Sequence, residues 1–337
     1  MSNSFSRILF IAKRECRRLI ANPVYVLGMV VFPILVTVLF TSLMDEGQPE
    51  EMPVGVVDLD NTSFTRKLTR SLDAFQTTHI VARYPNVEEA RKAMQQGTIY
   101  AFLYYPKGTT DALLSSRQPT ISFYYSYTSL TAGSLLFRDL KTISTLGSAA
   151  VGSATLKAKG LTDAQIGTFL QPIKIDLHTV ANPWVNYNVY LSTMLVPGCL
   201  LLFVFLITAY AFGMELKQNT SRQLIKMAGG KGWVAIAGKA LPHLLVHLAI
   251  FSLYLLYIYK VLHFPHEGGV GVIALLAVLS VMGSMGFAIF MFGLFPSLRM
   301  SMSMCSLWGV LSYSMVGTAF PTFAMDAPLE VLSNLFP

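Results

Sequence analysis

Five stretches of the chain are apolar for long enough to cross a bilayer as helices, which takes about 20 residues. They run from Tyr25 to Met44, Val189 to Phe212, Trp233 to Leu262, Val270 to Phe295 and Ser301 to Phe320. The first exceeds the apolar core of a signal peptide, about 7–15 residues, and no small-x-small cleavage site follows it, so it reads as retained. Ahead of it, Phe5, Ile8, Leu9, Ala12, Cys16, Leu19 and Ile20 recur at helical spacing, and basic residues occupy much of the remaining surface. The pattern predicts an interfacial amphipathic helix within residues 1–24, with Arg14, Arg17 and Arg18 against anionic lipid. Asn22-Pro23 ends that helix, because proline biases its predecessor away from the helical region.

Residues 45–185 read differently. Short β-prone runs at Val54–Val57, Ile80–Arg83, Tyr100–Tyr104 and Ile121–Tyr125 alternate with helical segments at Ser63–Phe75 and Val87–Gln96. Asp60-Asn61-Thr62 supplies good helix-capping residues before the first of these helices, and Gly97 ends the second. A long, weakly charged helix is expected over Leu130–Lys159, and a further strand around Ile173, Ile175, Leu177 and Val180. The alternation predicts an inserted mixed α/β domain with helices packed on a small sheet.

Composition sharpens the membrane reading. Of 337 residues, 53% are hydrophobic and 13% charged, about half the charged fraction of soluble domains. The net charge of +7 raises the question of a nucleic-acid partner, and the placement of the charges argues against one. Residues 45–185 hold 13 basic and 13 acidic residues, so the other 12 basic and 5 acidic residues flank the apolar runs. The N-terminal segment, the loop after the second stretch and the turn at Arg299 are basic, whereas the loop from Lys260 to Gly269 is nearly neutral. Alternating basic loops predict a cytoplasmic N-terminus and an extracytoplasmic 45–185 domain. Five crossings then leave the far end outside. Because Leu329, Val331, Leu332 and Leu335 begin a new amphipathic stretch, a sixth span is expected beyond Pro337.

Candidate chemistry is sparse. Cys16, Cys199 and Cys305 form neither a disulfide framework nor a zinc spacing. Lys239, His243 and His247 are ionisable groups inside the third span, and such groups are functional candidates by default. The histidines share a helix face, but Leu244 follows His243 where a metalloprotease helix has Glu, so a polar pathway or an interhelical hydrogen bond stands ahead of a metal site. Asp58 and Asp60 are common turn-makers, and His79 and His178 lack a ligand pattern, so no catalytic, cofactor or metal residue is assigned. Gly229-Gly230-Lys231-Gly232 is glycine-rich without the Gly-x4-Gly-Lys-Ser/Thr spacing of a phosphate loop. Small residues at four-residue spacing (Ser280, Ser284, Ala288 and Ser301, Cys305, Gly309) predict close helix packing.

One segment carries more information. After the second span, Glu215-Leu216-Lys217-Gln218-Asn219-Thr220 leads to Leu224-Ile225, and Gly238-Lys239 stands early in the third span. This resembles the ABC-2 type permease family, in which an acidic-basic-x-x-Gly/Asn-Thr-x-x-x-Leu-Leu motif precedes a Gly-Lys pair. Leu216 departs from the pattern, since a basic residue usually follows the acid. Other points of resemblance are Pro33, the run Val54-Gly55-Val56-Val57-Asp58-Leu59-Asp60-Asn61, Asn182-Pro183 and the Phe320-Pro321 to Pro328-Leu329 segment.

The resemblance implies an α-helical integral membrane protein with an inserted mixed α/β extracytoplasmic domain, an ABC-2 (type V ABC exporter-like) permease. Its parts would be a cytoplasmic interfacial helix (1–24), a first transmembrane helix (25–44), the extracytoplasmic domain (45–185) and a second transmembrane helix (186–213). A coupling loop (214–232), transmembrane helices three to five (233–320) and an external re-entrant region (321–337) would follow. Glu215, Thr220, Leu224 and Ile225 would couple to a separate cytoplasmic ATPase that holds ATP and Mg. Further implied partners are a second permease copy or paralogue, a periplasmic adaptor and the lipid of a bacterial inner membrane. The implied activity is ATP-driven export of a drug-like or lipophilic compound. A membrane sensor with an extracytoplasmic ligand-binding domain is the alternative, although no cytoplasmic output domain accompanies it.

Overall fold

Two separately packed units make up the chain, one formed by Met1–Gly47 with Thr179–Pro337 and the other by Gln48–His178. The computed structural model describes residues 4–43, 45, 47–115, 117–126, 130–171, 182, 186–266, 268–317 and 320–336. The strand expected around 173–180, His178 and Pro183 lie outside these. The elements begin with α1 (Ser4–Ala21) and α2 (Pro23–Leu43). The second unit holds β1 (Met52–Asp58), α3 (Ser63–Asp73), β2 (Thr78–Arg83), α4 (Val87–Gln95), β3 (Ala101–Tyr105), α5 (Thr109–Leu114), β4 (Ser122–Tyr125), α6 (Leu130–Ala158) and α7 (Asp163–Leu170). The first unit resumes with α8 (Tyr187–Lys217), α9 (Ser221–Met227), α10 (Gly232–Val261), α11 (Val270–Leu294), α12 (Leu298–Met315) and α13 (Ala327–Ser333).

Among the described residues four helices, α2, α8, α10 and α11, are long and apolar enough to cross a bilayer. A fifth span is expected over Ser301–Phe320. A helix, α12, does form there, over Leu298–Met315, with Arg299 and five serines; among the described residues it is not one of the four. α8 also outruns its expected end at Phe212, continuing to Lys217, which puts Glu215 in a helical turn instead of a loop. Around α8 pack α2, α11 and α12. The small-residue stripes serve this packing: Ser284, Ala288, Ser301 and Cys305 are all buried, and Ala288 and Cys305 share a cluster with Phe205 and Ala209 of α8. Small side chains let helix backbones approach in lipid, where burial of apolar surface alone does not drive helices together.

In the second unit the strand order is β2-β1-β3-β4, with β1 parallel to β2 and β3, and β4 antiparallel to β3. Period-two alternation separates the two faces. Val54, Val56, Leu103 and Tyr105 point to one face, where Leu72 of α3 and Leu136, Leu140 and Ile143 of α6 cover them. Val57 and Phe102 point to the other, against Ala90 and Ala93 of α4. Asp139 of α6 is buried and accepts hydrogen bonds from the Thr77 and Thr78 hydroxyls, the latter at 3.1 Å.

Asp60 staples two loops of this unit. Its carboxylate accepts from the Gly108 amide at 2.9 Å, the Thr110 amide at 3.0 Å and the Thr110 hydroxyl at 2.5 Å. The Thr110 hydroxyl leads the interactions that hold the Asp60 carboxyl below the usual range. A depressed folded value means that Asp60 stabilises the fold above its unfolded value, about pH 4, and that the contribution fades as pH falls through the folded value. Asp60→Ala should lower the thermal unfolding midpoint of the second unit near neutral pH, with the gap to wild type closing below about pH 4. A gap that stays constant with pH would contradict this.

Candidate functional site

A run of charges meets inside the first unit where α1, the end of α8 and the start of α10 come together. Lys239 is 0% exposed, Glu15 is 0% and Glu215 is 2%. The Lys239 ammonium donates to Glu15 Oε1 at 2.5 Å and to Glu215 Oε1 at 3.1 Å, with the Phe212 ring 5.8 Å from its nitrogen. Glu15 Oε1 also lies 3.2 Å from His243 Nε2. From the α1 side, Arg14 Nη2 donates to Glu215 Oε2 at 3.2 Å, and Arg18 pairs with Glu215 Oε1. Three cations thus surround two carboxylates, which partner one another where isolated charges would be strongly disfavoured.

The local sequence explains how each group arrives. Ile8, Ile11, Ala12, Glu15 and Leu19 form the side of α1 that packs on protein, so Glu15 occupies a position of the buried stripe. Gly238 is needed where α1 crosses α10, since a Cβ there would sit 2.8 Å from Ile11 Cβ and 3.0 Å from the Ile8 carbonyl oxygen. The next residue, Lys239, then reaches both carboxylates. At the end of α8, Asn219 adopts a left-handed conformation (φ 55°), which Asn tolerates better than most residues. That turn folds Thr220 back so that its amide donates to the Glu215 carbonyl at 2.9 Å and its hydroxyl to the Glu215 carboxylate. The motif is therefore a helix end closed on its own acid.

Burial works against charge on Glu15, but the hydrogen bond with His243 and the charge of Lys239 overcome it and hold the carboxyl below the usual range. Of the residues expected at this site, Glu215, Thr220, Lys239, His243, Arg14 and Arg18 are brought together. Leu224 is buried against Ile11, Ala228 and Val234, while Ile225 is 42% exposed on the other side of α9. Arg17 lies on the exposed side of α1. The buried His247 has no hydrogen-bond partner for Nε2 among the described residues.

Two expectations for α1 change. The apolar residues expected on one side divide: Ile8, Ala12 and Leu19 pack on protein together with Ile11, whereas Phe5, Leu9, Cys16 and Ile20 are exposed. Arg14 and Arg18 engage Glu215 instead of serving only as a cationic outer surface. Glu15 was missed as a site residue. The signal was available, because it falls on the same stripe as Ile8, Ala12 and Leu19. No group of three His, Cys, Asp or Glu side chains suited to a metal occurs among the described residues.

Removing one partner of a buried ion pair leaves the other uncompensated, at a cost of roughly 3–5 kcal/mol. Lys239→Met should therefore lower the unfolding midpoint of the full chain in detergent. Adding Glu15→Gln should recover part of the loss, because the pair is coupled. Strictly additive effects in that double-mutant cycle would rule out the coupling.

Comparison with curated proteins returns no match, and comparison with solved structures returns none either. The profile of the family described as "ABC-2 family transporter protein" matches residues 24–337, from just after α1 to the last residue. Together with the apolar helices and the Glu215–Thr220 and Gly238–Lys239 elements, that coverage places this membrane protein in the ABC-2 transporter family.

Proposed function

We propose that this chain is the transmembrane permease subunit of an ABC exporter. It would move a lipophilic or drug-like compound out of the cytoplasm of a bacterium, across the inner membrane. ATP would be bound with Mg and hydrolysed by a separate cytoplasmic ATPase, and a second permease copy or paralogue would complete the translocation path. The chain itself performs no catalysis in this reading. The carrying observation is the ion-paired junction of Glu15, Glu215 and Lys239, which ties α1, α8, α9 and α10 to one another at one end of an apolar bundle.

Such a junction is suited to transmitting force. Leu224 anchors α9 beneath α1, while Ile225 and Leu216, the latter 38% exposed, present an apolar edge for a docking protein. Movement of that edge by the ATPase would pull on α1 and on the start of α10 together, because the charges cannot separate cheaply away from water. A nucleotide-driven switch requires the two permease arrangements to differ in affinity for the ATPase states. Between α8 and α12 lies an apolar cavity of about 140 Å³, lined by Pro197, Gly198, Phe205 and Tyr313 among others, which is smaller than the roughly 300–1,000 Å³ of a drug-sized site.

Two experiments test this reading. Affinity-tagged wild-type chain should retain an ATPase with a phosphate loop, identified by mass spectrometry. Leu216→Glu with Ile225→Glu should lose at least ~10-fold of that ATPase with an unchanged unfolding midpoint, since ~1.4 kcal/mol is enough for such a loss. Full retention would refute docking at this edge. For orientation, single cysteines replace Lys107 and Gln218 in a chain free of native cysteines. An impermeant maleimide should label position 107 on intact cells and position 218 only after permeabilisation, and the reverse order would refute the topology.

A further inference from the structure

The second unit contains a cleft of about 720 Å³ that plays no part in the ionic junction. One wall is Phe64 and Leu68 of α3 with Leu113 of α5, and the other is Ile143, Gly147 and Val151 of α6. Gly147 faces Leu68 closely: a Cβ there would come 3.0 Å from Leu68 Cδ2, so the leucine tip would have to move by a few tenths of an ångström. Ile143 is buried at the floor, and Phe64, Leu68 and Val151 are half-buried. Apolar surface is thus held partly open to solvent inside a folded unit, where packing normally closes it.

Polar groups ring the apolar walls. Ser144 and Ser148 follow one another along one side of α6, and Gln118 and Thr120 stand on the segment leading to β4. All four are exposed. Thr142 and Thr145 of the same helix bond back to the Arg138 and Lys141 carbonyls, at 2.8 and 2.9 Å. Ser144 and Ser148 make no such bond among the described residues, so their hydroxyls remain available to a ligand. Among the described residues no charged side chain lines the cleft, although residues 45–185 hold 13 basic and 13 acidic side chains.

We infer that this cleft is a binding site for an uncharged, drug-sized amphiphile: an apolar or aromatic body seated between α3 and α6, with a hydroxyl or carbonyl group meeting Ser144 and Ser148. The volume lies within the roughly 300–1,000 Å³ of small-molecule sites, and apolar walls with a few polar groups are their usual chemistry. A charged ligand would lose hydration here with no counter-charge to replace it. The inference does not rest on the transport reading, since the site lies within the second unit and its occupancy is measurable without an ATPase.

The test uses the full chain in lipid nanodiscs and two photoreactive probes of matched shape, neutral 4-(hydroxymethyl)benzophenone and anionic 4-benzoylbenzoate. After irradiation, adducts are mapped by mass spectrometry. The neutral probe should label peptides bearing Phe64, Leu113 or Val151 saturably and at least ~10-fold more than the anionic probe, about 1.4 kcal/mol of discrimination. Ser148→Phe, which fills the cleft from an exposed position, should abolish that labelling while leaving the unfolding midpoint unchanged. Should Ser148→Phe lower the midpoint, Ser144→Ala with Ser148→Ala replaces it and should weaken neutral-probe labelling severalfold. Equal labelling by both probes, labelling confined to the apolar helices of the first unit, or insensitivity to these substitutions would overturn the site.

Discussion

A lysine ammonium with no exposure to water, held between Glu15 and Glu215, is the constraint around which the first unit is arranged. Lys239 has no escape to solvent, so its partners must be delivered from other elements. α1 supplies Glu15 and two arginines, and α8 supplies Glu215 from its last turn. Each delivery imposes a local demand. Gly238 permits the crossing of α1, Asn219 permits the reversal after α8, and Thr220 caps the acid it follows. The chemistry of one buried cation thus accounts for residue choices in three separated stretches of sequence.

The two units are stabilised by different means. In the second, alternating strand residues bury Val54, Leu103 and Phe102 under helices, and water drives the assembly. In the first, apolar helices gain little from being moved from lipid to protein, and close approach and polar contacts decide the packing. Buried Ser284, Ser301 and Cys305 are therefore as informative there as Val and Leu are in the sheet. Thr41 and Asn188 show the same economy of contact, with the Asn188 side chain donating to the Thr41 carbonyl at 3.0 Å between α2 and α8.

Membership of the ABC-2 transporter family and the ionic junction bear on each other. The family match begins at residue 24, so α1, which contributes Glu15, Arg14 and Arg18, lies before it. Glu215 and Lys239, which lie within the match, nonetheless close on that preceding helix. In general the family implies a partner ATPase and a paired arrangement of permeases. An edge formed by Leu216 and Ile225 beside a rigid charge cluster is physically compatible with both.

Sequence alone was enough for the elements. Long apolar runs, period-two alternation and capping residues are local properties, so α2, α8, α10, α11 and the four strands lie close to where the pattern puts them. Glu215 and Thr220 were singled out by the family resemblance, and Lys239 as an ionisable group inside an apolar run. What tertiary structure decided was pairing. Glu15 and Lys239 are 224 positions apart, and nothing local to either names the other. Which apolar residues of α1 pack on protein was likewise undecided, because Phe5, Leu9, Ile11 and Ile20 are all apolar and only the surface it meets selects Ile11 from among them. The open cleft beside α6 follows from the same cause: it depends on what packs alongside, a long-range property that no window of sequence contains.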